Sequence, residues 1–351
     1  MSAEVFKRNK KSYHGFNIES MLRVKPVAGE IGLEIEVEGN SFRKQDIPAP
    51  WKYVKDGSLR GEDNAEYIFK KPLKFEDVPA ALDSLWEMFR QDGSVLDESN
   101  RTSVHVHLNA QKFHLNRLCA FFALYFSVEE VLTEWCGDHR VGNLFCLRAK
   151  DAPAIISVLK KFLNQDYNIG GNENLHYAGL NAHSLSKFGS IEIRSLRGCT
   201  DPETILHWIG ALERIYRLSE TFKDPRHICD EFSGHGPLEY FQMVLGDKAG
   251  TIRNNIQWDN QRLYDSLYEG IRLAQDLCYC RDWSKYEPIE LETDPFGRSS
   301  SEVASSLSSL THYYTETLSN PHPQAGVIAV EANDPEHYEY EEDYHEYDEE
   351  F

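Results

Sequence analysis

Apolar and polar residues alternate strictly along three short stretches: Gly32-Leu33-Glu34-Ile35-Glu36-Val37-Glu38, Ser103-Val104-His105-Val106-His107-Leu108-Asn109 and Ser190-Ile191-Glu192-Ile193-Arg194. A period of two predicts a strand for each, with one apolar and one ionisable face. Asn64-Ala65-Glu66-Tyr67-Ile68-Phe69 repeats the pattern, and Lys55-Asp56-Gly57-Ser58-Leu59-Arg60-Gly61 before it carries the Asp-Gly signature of a turn. Elsewhere the apolar period lengthens to that of a helix. Leu82, Leu85, Trp86 and Phe89 recur at helical spacing, as do Leu118, Phe121, Phe122, Tyr125, Val128, Val131, Leu132 and Trp135, and Ile205, Trp208, Ile209, Leu212, Ile215 and Tyr216 after a Pro202 start. These aromatic stripes read as core. The order strand, turn, strand, helix, strand, long helix, strand, helix predicts an α+β fold, and no regular β-α alternation points to a parallel nucleotide-binding sheet.

The same period fixes which side chains are neighbours. Glu34, Glu36 and Glu38 share a face, as do His105, His107 and Asn109, and Glu192 and Arg194. Leu33, Ile35, Val37, Val104, Val106, Leu108, Ile191 and Ile193 face the other way, toward the helices. Side chains two apart on a strand stand ~6.5 to 7 Å apart, where two carboxylates repel by roughly 2 to 3 kcal/mol at an effective dielectric of about 20. For any one strand a solvated polar face accounts for the pattern. For the set gathered in a concave site, only bound cations or protonation relieve the repulsion, and cations are expected. The inventory Glu34, Glu36, Asp56, Glu66, His105, His107 and Glu192 is oxygen-rich with one or two imidazoles, which suits Mg2+ or Mn2+ better than zinc. Asp56 by itself reads first as a turn residue, and Glu38 as the wet end of its strand.

Five of these segments, in this order, resemble the putative amidoligases, carboxylate-amine ligases of the glutamine synthetase and glutamate-cysteine ligase superfamily with many phage members. They are Gly-Leu-Glu-Ile-Glu-Val-Glu (32 to 38), Lys-Asp-Gly-Ser-Leu (55 to 59), Asn-Ala-Glu-Tyr (64 to 67), Val-His-Val-His-Leu-Asn (104 to 109) and Ile-Glu-Ile-Arg-Ser-Leu-Arg-Gly-Cys-Thr-Asp (191 to 201). The resemblance spans about residues 30 to 222. It implies a curved antiparallel sheet backed by helices, which binds ATP and divalent cations (Mg2+ or Mn2+), activates a carboxylate as an acyl phosphate and passes it to an amine. Glu34, Glu36, Asp56, Glu66, His105 or His107, and Glu192 would be metal ligands, and Arg194 would hold the transferred phosphate, with Glu192 beside it in catalysis. Arg140, Asn143, Tyr177 and Asn181, in segments that also resemble the family, and Ser58 in the turn motif would line the nucleotide or amine pocket; the competing reading is that such residues cap helices and fix turns. Neither G-x-x-x-x-G-K-[ST] nor G-x-G-x-x-G occurs. Gly170-Gly171 reads as a surface loop or as a flap over ligand.

Composition narrows the remaining possibilities. At 351 residues and 41% hydrophobic the chain can bury a full core. Cysteines at 119, 136, 146, 199, 229, 278 and 280 are odd in number and form no C-x-x-C, which favours reduced thiols in a cytosol; Cys278-Tyr279-Cys280 reads as a helix end. No apolar run approaches ~18 residues and the N-terminus lacks an apolar signal core, so a cytoplasmic protein is expected, in the host if phage-encoded. Residues 331 to 351 hold eleven Asp or Glu, four Tyr and no Lys or Arg, against a formal net charge of -20 for the chain. Such a tail reads as a solvated, disordered extension or as a dock for a basic protein partner. The acidic balance argues against direct binding of DNA or RNA. The expected layout is an N-terminal extension (1–28), a catalytic domain with a helical C-terminal part (29–285), a Ser/Pro-rich linker with a helix (286–330) and the tail. Two other function classes fit parts of the pattern: a metal hydrolase, because His-x-His beside carboxylates also suits zinc-activated water, and a non-catalytic interaction protein acting through the tail.

Overall fold

The alternating stretches become strands that pair in one open antiparallel sheet. In the computed structural model, residues 17–59, 63–164 and 173–285 are described. Gly170-Gly171, the Ser-rich linker, the acidic tail and most of the N-terminal extension lie outside them. The strands are β1 (Ile31–Asn40), β2 (Trp51–Val54), β3 (Asn64–Phe69), β4 (Val95–Leu96), β5 (Ser103–Asn109), β6 (Leu180–Asn181) and β7 (Ser190–Arg197). Their order is β2-β3-β1-β5-β7-β6, with β4 paired to the far end of β1. Four of the seven were predicted from alternation. β2, β4 and β6 are two to four residues long, too short to show a period.

The helices are α1 (Ile18–Leu22), α2 (Val78–Asp92), α3 (Leu115–Trp135), α4 (Ala154–Leu163), α5 (Ser184–Phe188), α6 (Pro202–Leu218), α7 (His227–His235), α8 (Pro237–Leu245), α9 (Lys248–Asn255) and α10 (Asn260–Cys278), of which α2, α3 and α6 back the apolar face. The α+β expectation, a helix-backed antiparallel sheet, therefore holds, and α10 ends where Cys278-Tyr279-Cys280 suggested. α6 starts where its sequence says. Asp201 accepts hydrogen bonds from the backbone N–H groups of Glu203 (3.0 Å) and Thr204 (3.2 Å), and Pro202 occupies the first turn, where no N–H is needed. α2 stops at Gly93, whose φ of 63° is a left-handed conformation that glycine adopts without strain.

The eight strand residues predicted to face inward are buried, seven of them to 1% exposure or less. At about 1.5 to 3 kcal/mol per fully buried aliphatic side chain, this layer supplies a large share of the folding drive. α3 is buried on nearly every side, between the sheet and α10. Two tyrosines fasten the helices to the back of the sheet: Tyr125 of α3 reaches the Ser195 hydroxyl (3.1 Å), and Tyr216 of α6 donates to the Asn109 carbonyl (2.9 Å). Every one of the seven cysteines is a free thiol, and among the described residues no helix is long and apolar enough to cross a membrane.

The β5–β7 ladder contains a bulge. Val106 opposes Ile193 while Val104 opposes Leu196, so both Arg194 and Ser195 stand against His105. The extra residue lets Ser195 reach back to Tyr125 while Arg194 remains on the polar face. Arg140 locks this distortion, with Nε donating to the Ser195 carbonyl (3.0 Å) and Nη2 to that of Arg194.

Glu129, on α3, is 2% exposed; one oxygen accepts the Ala149 N–H at 2.8 Å and the other has no hydrogen-bond partner. Burial pushes its pKa from 4.5 up to about 8. Between those values the folded chain keeps a proton that the unfolded chain has lost, so stability falls as pH rises through this window, by up to about 1.4 kcal/mol per pH unit. Glu129→Gln removes that slope. Denaturant midpoints at about pH 5 and about pH 8 should fall further in the wild type than in the variant; equal falls would refute the assignment.

Candidate metal and phosphate site

Strand registers decide whether the predicted cluster exists. On β1, Glu34 opposes His105 of β5 and Glu36 opposes Glu66 of β3. On β7, Glu192 opposes both His107 of β5 and Asn181 of β6. Because these residues also share a face by the period-two rule, five side chains meet in direct contact: Glu34, Glu36, His105, His107 and Glu192.

The contacts form one network around Glu34. Its Oε2 lies 3.1 Å from His105 Nδ1 and its Oε1 lies 3.1 Å from His107 Nε2. The second of these is an ionic contact off the axis of a hydrogen bond, so His107 Nε2 is buried without a hydrogen-bond partner. His105 Nδ1 also stands 3.7 Å from Glu192 Oε1. Glu36 accepts the Ser103 backbone N–H and hydroxyl, both at 2.7 Å, and His107 Nδ1 rests 3.2 Å from the Ser190 hydroxyl. Glu192 is held from three sides: Arg194 Nη1 donates to Oε1 (2.6 Å), while Asn181 Nδ2 (2.7 Å) and the Ser184 hydroxyl (2.8 Å) donate to Oε2. Arg194 spends Nε on the Phe145 carbonyl (3.3 Å), and among the described residues Nη2 makes no hydrogen bond.

Charge follows from this packing. Burial pushes the Glu34 carboxyl up, but contacts with His105 and His107 outweigh it and hold the group well below the usual carboxylate range. Glu192 behaves alike: burial raises it, whereas His107, Arg194 and His105 bring it down to about 2. For His107, burial disfavours the charged ring, yet the Glu34 and Glu192 carboxylates win and raise its pKa. Among the described residues no group donates a hydrogen bond to the Glu66 carboxylate, and the field of the Arg194 guanidinium does not offset what raises it. Burial and the negative charges of Glu34, Glu36 and Asp56 lift it to about 7.

Glu34, His107 and Glu192 each offer a ligand atom, and these atoms lie within 4.8 Å of one another. A buried imidazole nitrogen with no hydrogen-bond partner, set among carboxylate oxygens, fits a divalent cation. Other predicted residues stand further out. Asp56 accepts the Ser58 N–H (2.8 Å) and hydroxyl (2.7 Å), closing its own turn, and reaches the cluster through its field on Glu66. Asn143 fixes the 139–145 turn, accepting the Phe145 N–H at 2.9 Å. Tyr177 is half exposed with its ring against Phe145 and His176. Arg140 is buried at the bulge, and Asn181 touches Glu192 directly.

Sequence reasoning passed over Ser103, Ser184, Ser190 and the Phe145 carbonyl. Ser103 and Ser190 carried a signal, since each stands two residues before a chosen residue on the same strand face. Ser184, on a five-residue helix, and a backbone carbonyl carried none.

No curated protein matches the chain. The family described as putative amidoligase enzyme matches residues 34–216, just over half of the chain, running from Glu34 through every site residue named above to Tyr216 of α6. The protein is a member of this amidoligase family, and hence an enzyme of ligase type.

Proposed function

We propose that the protein is an ATP-dependent carboxylate-amine ligase, assisted by Mg2+ or Mn2+, that joins a small-molecule or peptide carboxylate to an amine. The observation that carries this reading is the meeting of Glu34, His107 and Glu192 from three strands beside the Arg194 guanidinium, within the family match. The catalytic unit would be residues 29–285, acting in the cytoplasm without membrane or nucleic acid.

A divalent cation, when bound, supplies charge neutralisation for phosphate oxygens. Glu34, Glu192 and His107 would hold it, with Glu36, Glu66, His105 and Asp56 as further ligands or field. Arg194 keeps one guanidinium edge on Glu192, which aims the free Nη2 at a transferred phosphoryl group. The substrate carboxylate oxygen would attack the γ-phosphorus and ADP would leave. The amine nitrogen would then attack the acyl carbon, phosphate would leave, and the amine would give up a proton. The leaving phosphate or solvent would take up that proton, while Glu66, lifted to about 7 by burial and the neighbouring carboxylates, would join the ligand set once it has lost its own. No serine or cysteine nucleophile is called for, and the buried cysteines are held protonated by their surroundings.

Incubation of the protein with ATP, Mg2+ and a metabolite or peptide pool should release ADP and yield products lighter by one water than the sum of two reactants, read by mass spectrometry. Arg194→Ala should lower turnover by about 10² to 10³. Absence of Mg2+-dependent ATP binding would refute the ligase, and tightly held stoichiometric zinc would support a hydrolase instead.

Cation binding should strengthen as pH rises through about 7, because Glu66 is protonated below that value and must give up its proton to serve as ligand. Calorimetry with Mn2+ should show affinity rising by up to ~10-fold per pH unit for each proton released, then levelling. Glu66→Gln should make the profile shallower by the proton that Glu66 releases, leaving the share of His107, whose pKa is also raised; an unchanged profile would exclude Glu66 from the site.

A further inference from the structure

Large apolar side chains that remain in solvent are not spread evenly over the molecule. Ten are exposed among the described residues, and five of them, Val141, Leu144, Phe145, Tyr177 and Phe188, lie on segments that border the candidate site. The Phe145 carbonyl accepts from Arg194 Nε at 3.3 Å, the Tyr177 ring stands 6.2 Å from the Phe145 ring, and Phe188 meets His107 edge-on at 6.1 Å. Phe145 itself is 63% exposed. Single apolar residues scattered over a surface need no explanation, whereas a group of them beside a polar site marks a place where ligand is bound.

The aromatic pair is also held in a fixed frame. The Leu147 N–H donates to the Tyr177 carbonyl, the Gly179 N–H to the Leu147 carbonyl and the Arg194 N–H to the Gly179 carbonyl, each at 2.8 Å. Asn143 closes the turn that carries Phe145. A run of main-chain hydrogen bonds therefore leads from the two rings to the strand residue whose guanidinium faces the transferred phosphoryl group. Rings placed in advance in this way lose little conformational freedom when a ligand arrives.

We infer that Phe145 and Tyr177 form a specificity wall for the acyl donor, and that this substrate carries an apolar or aromatic side chain beside its reacting carboxylate. The inference rests on the ligase function proposed above and adds the substrate class to it. In that reaction the transferred phosphoryl group has two neighbours in line, the ADP that leaves and the carboxylate that attacks. On the ADP side the adjoining group is the charged β-phosphate, and the nucleobase lies beyond both phosphates and the ribose. On the other side the adjoining group is the acyl chain itself, joined to phosphorus through its carboxyl oxygen. An apolar surface that starts at the residue bonded to Arg194 suits the second neighbour and not the first. A charged or hydroxylated side chain set against these rings would give up hydration without gaining a partner.

Hydroxylamine takes the place of the amine in the test, so the donor can be read before the natural acceptor is known. The carboxylate oxygen attacks the γ-phosphorus of ATP and ADP leaves. Hydroxylamine nitrogen then attacks the acyl carbon, phosphate leaves with the bonding pair, and the nitrogen gives up a proton to yield a hydroxamate. Full-length protein with Mg2+ and ATP is given free and N-acetylated amino acids that differ only in side chain, and kcat/KM is read from hydroxamate and ADP together. Leucine, methionine and phenylalanine donors should exceed serine, glutamate and lysine donors by about 10- to 100-fold. Phe145→Ala and Tyr177→Ala, which keep the main-chain carbonyls of the frame, should bring that ratio toward one, and Phe145→Leu should keep most of it. A purely structural role would lower all donors alike and leave the ratio in place. A wild type that prefers polar or charged donors, or has no preference, would overturn the inference, as would a ratio unchanged in both alanine variants. The wild-type ratio decides even where a variant does not fold. Absence of hydroxamate and ADP from every donor would overturn the ligase and the inference together, whereas hydroxamate from polar donors alone would overturn the inference and leave the ligase standing.

Discussion

Repulsion among carboxylates packed on one sheet face is the constraint that the rest of the structure answers. Glu34, Glu36, Glu66 and Glu192 occupy adjoining positions on β1, β3 and β7. At these spacings each pair costs on the order of a few kcal/mol at protein-like dielectric, comparable to a good part of the total stability of a domain, about 5 to 15 kcal/mol. The chain meets that cost with positive charge and donors: two imidazoles on β5, a guanidinium on β7, and the hydroxyls of Ser103 and Ser184. Glu66 feels only the field of that guanidinium, and burial together with the neighbouring carboxylates keeps its pKa raised.

The remainder of the fold keeps these groups from moving apart. Strand side chains alternate, so the apolar layer that binds the helices also fixes which residues face the site, and a one-residue slip of any strand would turn its charges into the core. Tyr125 and Tyr216 tie helices to strand backbone, and Arg140 clamps the β7 bulge from behind. Arg140 thereby serves the site without entering it, its donors spent on main-chain carbonyls.

Much of this was legible in the sequence because the decisive signal is local. Period-two alternation located β1, β3, β5 and β7 and sorted their faces correctly; β3 and β5 have the predicted limits, while β1 and β7 run further. Register was not legible, since β5 and β7 are joined by roughly eighty residues and pairing depends on how the intervening helices pack. The bulge was hidden for the same reason. Asp56, Asn143 and Tyr177 were chosen for their type within a motif. Type alone does not say whether an oxygen serves a ligand or its own turn, and Asp56 and Asn143 bond to residues two positions away.

The sheet order also bears on how the chain reaches its folded state. β1 lies between β3 and β5, and its two edges are electrically unlike. Joined to β3 alone it sets Glu36 directly opposite Glu66, a like-charge pair that weakens a ladder; joined to β5 it sets Glu34 opposite His105. The β1–β3 pairing, closer in sequence and cheaper in loop closure, is thus the one that charge disfavours. β5 brings the histidine that offsets the acidic pairing of β1 with β3, so the register that completes the sheet also completes the charge balance of the site.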